Sequence, residues 1–290
     1  MGGDRVVGDA GCGEGDGVGV LGPTTIGSRS ATPRQRALVA ALALAGRRGA
    51  EIDELVDGVW SGRPPNSARS SLQNQMTRLR RAHGDDLIVC ETARYRLGRP
   101  TDVERFEDTL ARVRSAPVTP ATITSLADVL ALWRGQPYAD LADCHAAEVE
   151  RARLVQARDR AANLLATGRI LTGDYAPCIA ELRVEVEDDP FRDRAWELLF
   201  IALQRAERTG EAIAAHHRYV ARLRDQFGVE PSRSLLEIGH ALSRGVPLDL
   251  AAGEFAAGPA VVDLSATGRH GARRSRCRER RTGRARRVDP

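Results

Sequence analysis

The stretch from Asn66 to His83, NSARSSLQNQMTRLRRAH, narrows the fold more than any other part of this chain, because its apolar side chains recur at one helical spacing and no acid interrupts it. At about 100° per residue, Ala68, Leu72, Met76 and Leu79 fall on one narrow stripe, which predicts a helix with a single face in a core. Directly opposite lie Ser70, Asn74, Thr77 and Arg81, with Gln73 and Arg80 on one flank, Arg78 on the other and Arg69 nearer the core edge. An ordinary solvated helix mixes acids with its arginines and forms i,i+4 pairs; this one has none to form. Its outer face offers guanidinium forks and amides suited to base edges, and small hydroxyls suited to phosphates or close groove approach. Contact with DNA is the favoured reading over a merely solvated Arg-rich face.

The surroundings agree. Pro33 to Ala45 reads as a helix opened by proline and closed by Gly46, and Ile52 to Trp60 as a second, with Leu55, Val56, Val59 and Trp60 inward. Pro64-Pro65 ends it, and Asn66 or Ser67 is a suitable N-cap for the helix that follows. The order is therefore helix, turn, reading helix. After Gly84, LIVCETARYRL alternates as two short strands around a Glu91-Thr92-Ala93-Arg94 turn. This is a wing, with Arg94 at its tip and Arg96 two residues on. Tyr95 fits a backbone contact to DNA, but an aromatic in a short strand belongs more often to a core, which is the expectation here.

Seven segments, VLGPTTI, PRQRALVAALAL, IDELVDGVW, RPPNSARSSLQNQMTRLRR, ARYRLG, ALWRGQPYADLAD and GEAIAAHHRYVARLRDQFGVEP, in this order, resemble the streptomycete antibiotic regulatory protein family from about Val20 to about Leu250. The resemblance implies a winged helix joined to an all-helical bacterial transcriptional activation domain. It implies an activator of a secondary-metabolite gene cluster that binds direct repeats in promoters and contacts RNA polymerase, including its principal sigma factor. The family's reading helix corresponds to Ser67 through Arg81.

From Val103 to about Arg244 the pattern is helical throughout. With Pro190 set at the last position of a tetratricopeptide unit, a period of about 34 residues places Tyr175, Trp196, Leu199 and Ala212 at pattern positions. His216 departs, standing where a large aromatic is expected, and Pro231 arrives about one turn late. Such pairs expose binding surfaces rather than catalytic groups. Ala131, Leu132, Trp133 and Tyr138 are read as core rather than as a ligand cage.

Charge is divided along the chain. Residues 27–100 hold 13 Arg against 7 acids, residues 101–250 hold 19 against 24, and residues 251–290 hold 10 against 4. The chain contains no lysine, so arginine abundance is a compositional bias and the DNA reading rests on placement.

Other motifs are set aside. Gly17 to Gly22 spells GxGxxG, but Pro23-Thr24-Thr25 follows where a helix should begin. Five cysteines, Cys12, Cys90, Cys144, Cys178 and Cys277, show no CxxC spacing and fit reduced thiols. Cys144-His145 and His216-His217 have no acid placed by sequence to orient them. Neither a signal peptide nor an apolar span of membrane length is present in the sequence.

The expected fold is mainly α: an N-terminal winged helix-turn-helix of the response-regulator effector type over residues 18–99, then an all-α tetratricopeptide-like domain over 100–250. Residues 1–17 are expected to be a disordered extension and residues 251–290 a disordered basic tail. The DNA-binding candidates are Arg69, Ser70, Gln73, Asn74, Thr77, Arg78, Arg80, Arg81, Arg94 and Arg96. No catalytic residue, cofactor or metal is expected. The expected function is a sequence-specific transcriptional activator that binds double-stranded DNA at tandem promoter repeats as a homodimer and recruits RNA polymerase, in the cytoplasm and associated with the nucleoid. The alternative is a protein-interaction front end of a truncated, larger ATPase-linked regulator.

Overall fold

The computed structural model describes residues 17–250, apart from Ser61 and Arg63. The expectations for residues 1–16 and for the basic tail, together with Cys12 and Cys277, lie outside the described residues. The chain opens with a small antiparallel pair, β1 (Val18–Gly19) with β2 (Thr25–Ile26). Helix α1 (Pro33–Ala45) follows, and Thr32 caps it: its hydroxyl accepts from Gln35 N while the Gln35 side chain accepts from Thr32 N at 2.9 Å. Every residue from Ala37 to Leu42 is buried, because α1 is packed against the second and third helices, the wing and the sixth helix. This explains why its sequence carries almost no amphipathic signal.

Helix α2 (Ile52–Trp60) buries Leu55 and Val56, leaves Val59 and Trp60 half-buried, and has the Arg34 guanidinium 4.1 Å above the Trp60 ring. Helix α3 (Ala68–His83) buries Ala68, Leu72, Met76 and Leu79, the four residues of the stripe. Ser67 occupies its N-cap position but makes no side-chain cap bond. The wing is β3 (Ile88–Glu91) paired antiparallel with β4 (Arg94–Leu97). Thr92 and Ala93 form its turn with φ of 49° and 64°, the left-handed geometry of tight hairpins. Ala50 adds an isolated antiparallel bridge on the other edge of β4 by exchanging backbone bonds with Tyr95. Gly49 is needed there, since a Cβ at that position would lie 2.9 Å from the Tyr95 carbonyl oxygen. Tyr95 itself is half-buried against the core, as its strand context predicts.

Seven helices complete the described residues: α4 (Asp102–Arg114), α5 (Pro120–Leu130), α6 (His145–Thr172), α7 (Tyr175–Asp188), α8 (Asp193–Arg205), α9 (Thr209–Phe227) and α10 (Arg233–Ser243). Short loops turn α6 onto α7, α7 onto α8 and α8 onto α9, and α8 also touches α6 and α10. Trp196, Leu199 and Ala212 are buried in this second core, and the Trp196 indole N–H donates to Pro190 O at 2.9 Å. His216 is buried edge-on to Phe200, and its Nε2 lies 3.0 Å from Leu235 O. An imidazole fits here because α10 comes so close that a Cβ at Gly239 would sit 2.4 Å from His216 Cε1. Tyr138 is buried and Trp133 half-buried, edge-on to Phe106 at 5.6 Å. Ala131, expected in the core, is exposed: it caps the end of α5, where the chain turns outward.

The first core runs without a break from Val18 through the winged helix into Val103, Phe106, Tyr138, Leu141 and the start of α6. Asp102 pins the seam. Its buried carboxylate accepts from Val20 N at 2.7 Å and Leu21 N at 3.0 Å, and pairs with Arg134 at 2.8 Å. The amides of the GxGxxG-like segment therefore already hold an internal anion. Further along the same loop, Asp140 accepts from Thr24 N and from Arg36, both at 2.8 Å. Burial alone would raise the Asp140 pKa; the Thr24 and Arg36 bonds outweigh it and hold the carboxyl below its ordinary value.

Candidate nucleic-acid interface

With its apolar stripe sealed against the core, α3 presents Arg69, Ser70, Gln73, Asn74, Thr77, Arg78 and Arg81 to solvent. The side chains of Gln73, Asn74, Arg78 and Arg81 have no hydrogen bond or ion pair among the described residues. Ser70 Oγ bonds back to Ser67 O and Thr77 Oγ1 to Gln73 O, each at 3.0 Å, which fixes both hydroxyls on the helix surface.

The remaining candidates are engaged inside the protein. Arg69 grips Asp53 of α2 with both ends of its fork. Arg80 is half-buried, and its Nε donates to Ile88 O at 2.9 Å, tying α3 to the wing. Arg94 does not project from the wing tip. Its guanidinium turns back to α2, bonding Glu51 at 2.8 Å, Glu54 at 2.7 Å, Gly49 O at 3.0 Å and Arg48 O at 3.3 Å. Glu54 also accepts from Glu51 N at 2.8 Å, closing the start of α2. That backbone bond lowers the Glu54 pKa against the opposing effect of desolvation, with Arg94 and Arg48 adding to the lowering. Arg96 pairs with Glu91 across the hairpin and lines a cleft of about 880 Å³ between the wing base, the end of α1 and α4.

Spacing within α3 revealed the absence of acids on that helix. It gave no sign that α2 supplies Asp53 and Glu54, and the residue before it Glu51, across the fold. Nor did it bring out Arg29, His83 and Arg99, which gather at the far end of α3. They are distant in sequence, and only tertiary structure assembles them.

A winged helix-turn-helix fused through one core to a helical region defines a class of regulator, and comparison with known proteins agrees. Residues 101–243 match the model of the bacterial transcriptional activator domain. The chain is similar to transcriptional regulators of the streptomycete antibiotic regulatory protein family. It is 31% identical to the regulatory protein AfsR of Streptomyces griseus, over 78% of this chain and 24% of AfsR. It is likewise 31% identical to the transcriptional regulatory protein EmbR of Mycobacterium tuberculosis, over 80% of this chain and 64% of EmbR. The structure of Mycobacterium tuberculosis EmbR in complex with a low-affinity phosphopeptide superposes with a TM-score of 0.67 at 28% identity, covering 80% of this chain and 66% of that one. The chain thus spans about a quarter of AfsR and under two thirds of EmbR. Among the described residues no helix is long and apolar enough to cross a membrane, and no cluster of His, Cys, Asp or Glu suits a metal ion. Cys90, Cys144 and Cys178 are free thiols.

Proposed function

We propose that this chain is a sequence-specific DNA-binding activator of transcription in which α3 enters the major groove. The observation that carries this reading is the outer face of α3: the amides of Gln73 and Asn74 and the guanidinium groups of Arg78 and Arg81, with no side-chain partner among the described residues, on a helix without acids. Residues 18–99 form the DNA-reading domain and residues 100–250 a tetratricopeptide-like activation domain. The second contacts RNA polymerase, including its principal sigma factor, as the family resemblance implies. One winged helix makes few base contacts, so two protomers on tandem promoter repeats supply the specificity for a secondary-metabolite gene cluster. The protein acts in the cytoplasm on the nucleoid and performs no catalysis.

The test is selection of bound fragments from genomic DNA by the full chain, followed by Asn74→Ala and Thr77→Ala on the selected site. Each is expected to weaken cognate binding by about 1–3 kcal/mol with little change in melting. If both variants bind like the wild type, α3 does not read the site. Recurrent half-sites among the fragments support the tandem arrangement, and indiscriminate, salt-sensitive binding contradicts it.

A further inference from the structure

At the C-terminal end of α3, cationic side chains from three parts of the chain converge on one small polar recess. It encloses about 380 Å³ between Ser28 and Arg29 of the loop after β2, Arg81 and His83 of α3, and Arg99 after β4. Arg29 donates to Ala82 O, and Arg99 donates to His83 O at 2.6 Å, so both also quiet the negative helix end. Among the described residues the acid in contact with the cluster is Asp86, which Arg99 holds through two bonds of 2.7 and 2.8 Å; Asp85 in the same turn is exposed and does not line the recess. Neither Arg29 nor Arg81 is paired with a carboxylate among the described residues, so both keep charge available to the recess. Arg81 reaches the recess from the same outer face that carries Asn74 and Thr77.

We propose that this recess binds a phosphate of the DNA backbone beside the groove that α3 reads, with Arg29 as the principal fork and Arg81 beside it. The inference rests on the DNA reading above and adds a site outside the outer face of the helix. His83 gives it a pH signature. Burial, then Arg29, then Arg99 lower its pKa in the free protein, and Asp86, in the turn that follows, is bonded by Arg99. A bound phosphate adds negative charge beside the imidazole and raises that pKa, so binding takes up a proton and tightens as pH falls.

The experiment is a salt and pH titration of the full chain on the selected duplex and on a random one. Arg29→Gln keeps an amide donor for Ala82 O while removing the charge; Ser28→Asp inserts an anion into the recess without touching that contact. Both are expected to melt like the wild type and to weaken binding to the two duplexes by the same factor, with Arg29→Gln lowering the salt slope by about 0.9. Wild-type binding is expected to tighten as pH falls from about 7.5 to about 5.5, across the ordinary histidine range, and His83→Gln to remove that change. An unchanged slope in folded Arg29→Gln, while Asn74→Ala still loses site preference, overturns the recess and leaves the DNA reading standing. Absence of salt-sensitive duplex binding by the wild type overturns both.

Discussion

Arg94 shows how far a residue's surroundings redirect its role. By position it sits at the end of a hairpin turn, where a phosphate contact is the natural assignment. In the structure its fork closes on Glu51 and Glu54 and on two carbonyls beside the start of α2, so it sets the pose of the wing. The two roles separate by experiment. A phosphate contact releases counterions, whereas a positioning contact does not. Arg94→Ala in the full chain is therefore expected to weaken DNA binding while leaving the slope of log K against log salt unchanged, and to speed amide exchange across β3 and β4. Glu54→Gln should reproduce part of the same loss, because it removes the other half of the clamp. A slope that falls by about one unit in Arg94→Ala returns this residue to the DNA surface. Arg69 differs: its pair with Asp53 is exposed on both sides, so it is a weak bond that a phosphate can displace.

At the scale of elements, what the sequence made legible is what repeats locally. The stripe of α3 appears at the expected four positions because a helix has one period and that face has one place to go. Leu72→Ala is accordingly expected to destabilise the protein by about 2–5 kcal/mol, read as a lowered denaturation midpoint, whereas Gln73→Ala next to it leaves the midpoint in place. An unmoved midpoint for Leu72→Ala means that the faces are reversed. The segment from Ala131 to Cys144 was far less legible. Its Trp and Tyr suggested core, yet no period predicts that Arg134 and Asp140 reach back more than a hundred residues to Pro23 and Thr24. That tie is sensitive to acid. Asp140 titrates below its ordinary value of 3.8 in the folded protein, so its contribution is complete above that value and is lost as pH falls through the lower, folded one. Asp140→Asn is expected to remove this part of the acid sensitivity, measured as denaturation midpoint against pH between about 5 and about 2.5. An identical pH profile in the variant shows that the tie contributes nothing.

On the scale of the whole molecule, the boundary near residue 100 marks a change of charge and composition but not a break in packing. Val18, Leu21, Phe106, Tyr138 and Leu154 belong to one buried cluster. A second core, around Trp196 and Tyr219, occupies the later helices. In this arrangement α3 packs on the same core as the first helices of the bacterial transcriptional activator domain, so a partner gripping those helices also bears on the orientation of α3. Asp102 is the most exacting point of that seam. Replacing it by alanine strands the amides of Val20 and Leu21, each buried, at a cost of about 1–3 kcal/mol apiece. Arg134 stays partly in water, at 35% exposure of its side chain, so loss of the ion pair itself adds little. Arg134→Gln should therefore cost clearly less than Asp102→Ala, although Arg134 also bonds Pro23 O and Thr25 Oγ1. Denaturant unfolding followed through the winged helix and through α4 should show both regions of Asp102→Ala moving together to a lower midpoint. A midpoint that falls for α4 while the winged helix keeps its own would show two independent domains and refute the shared core.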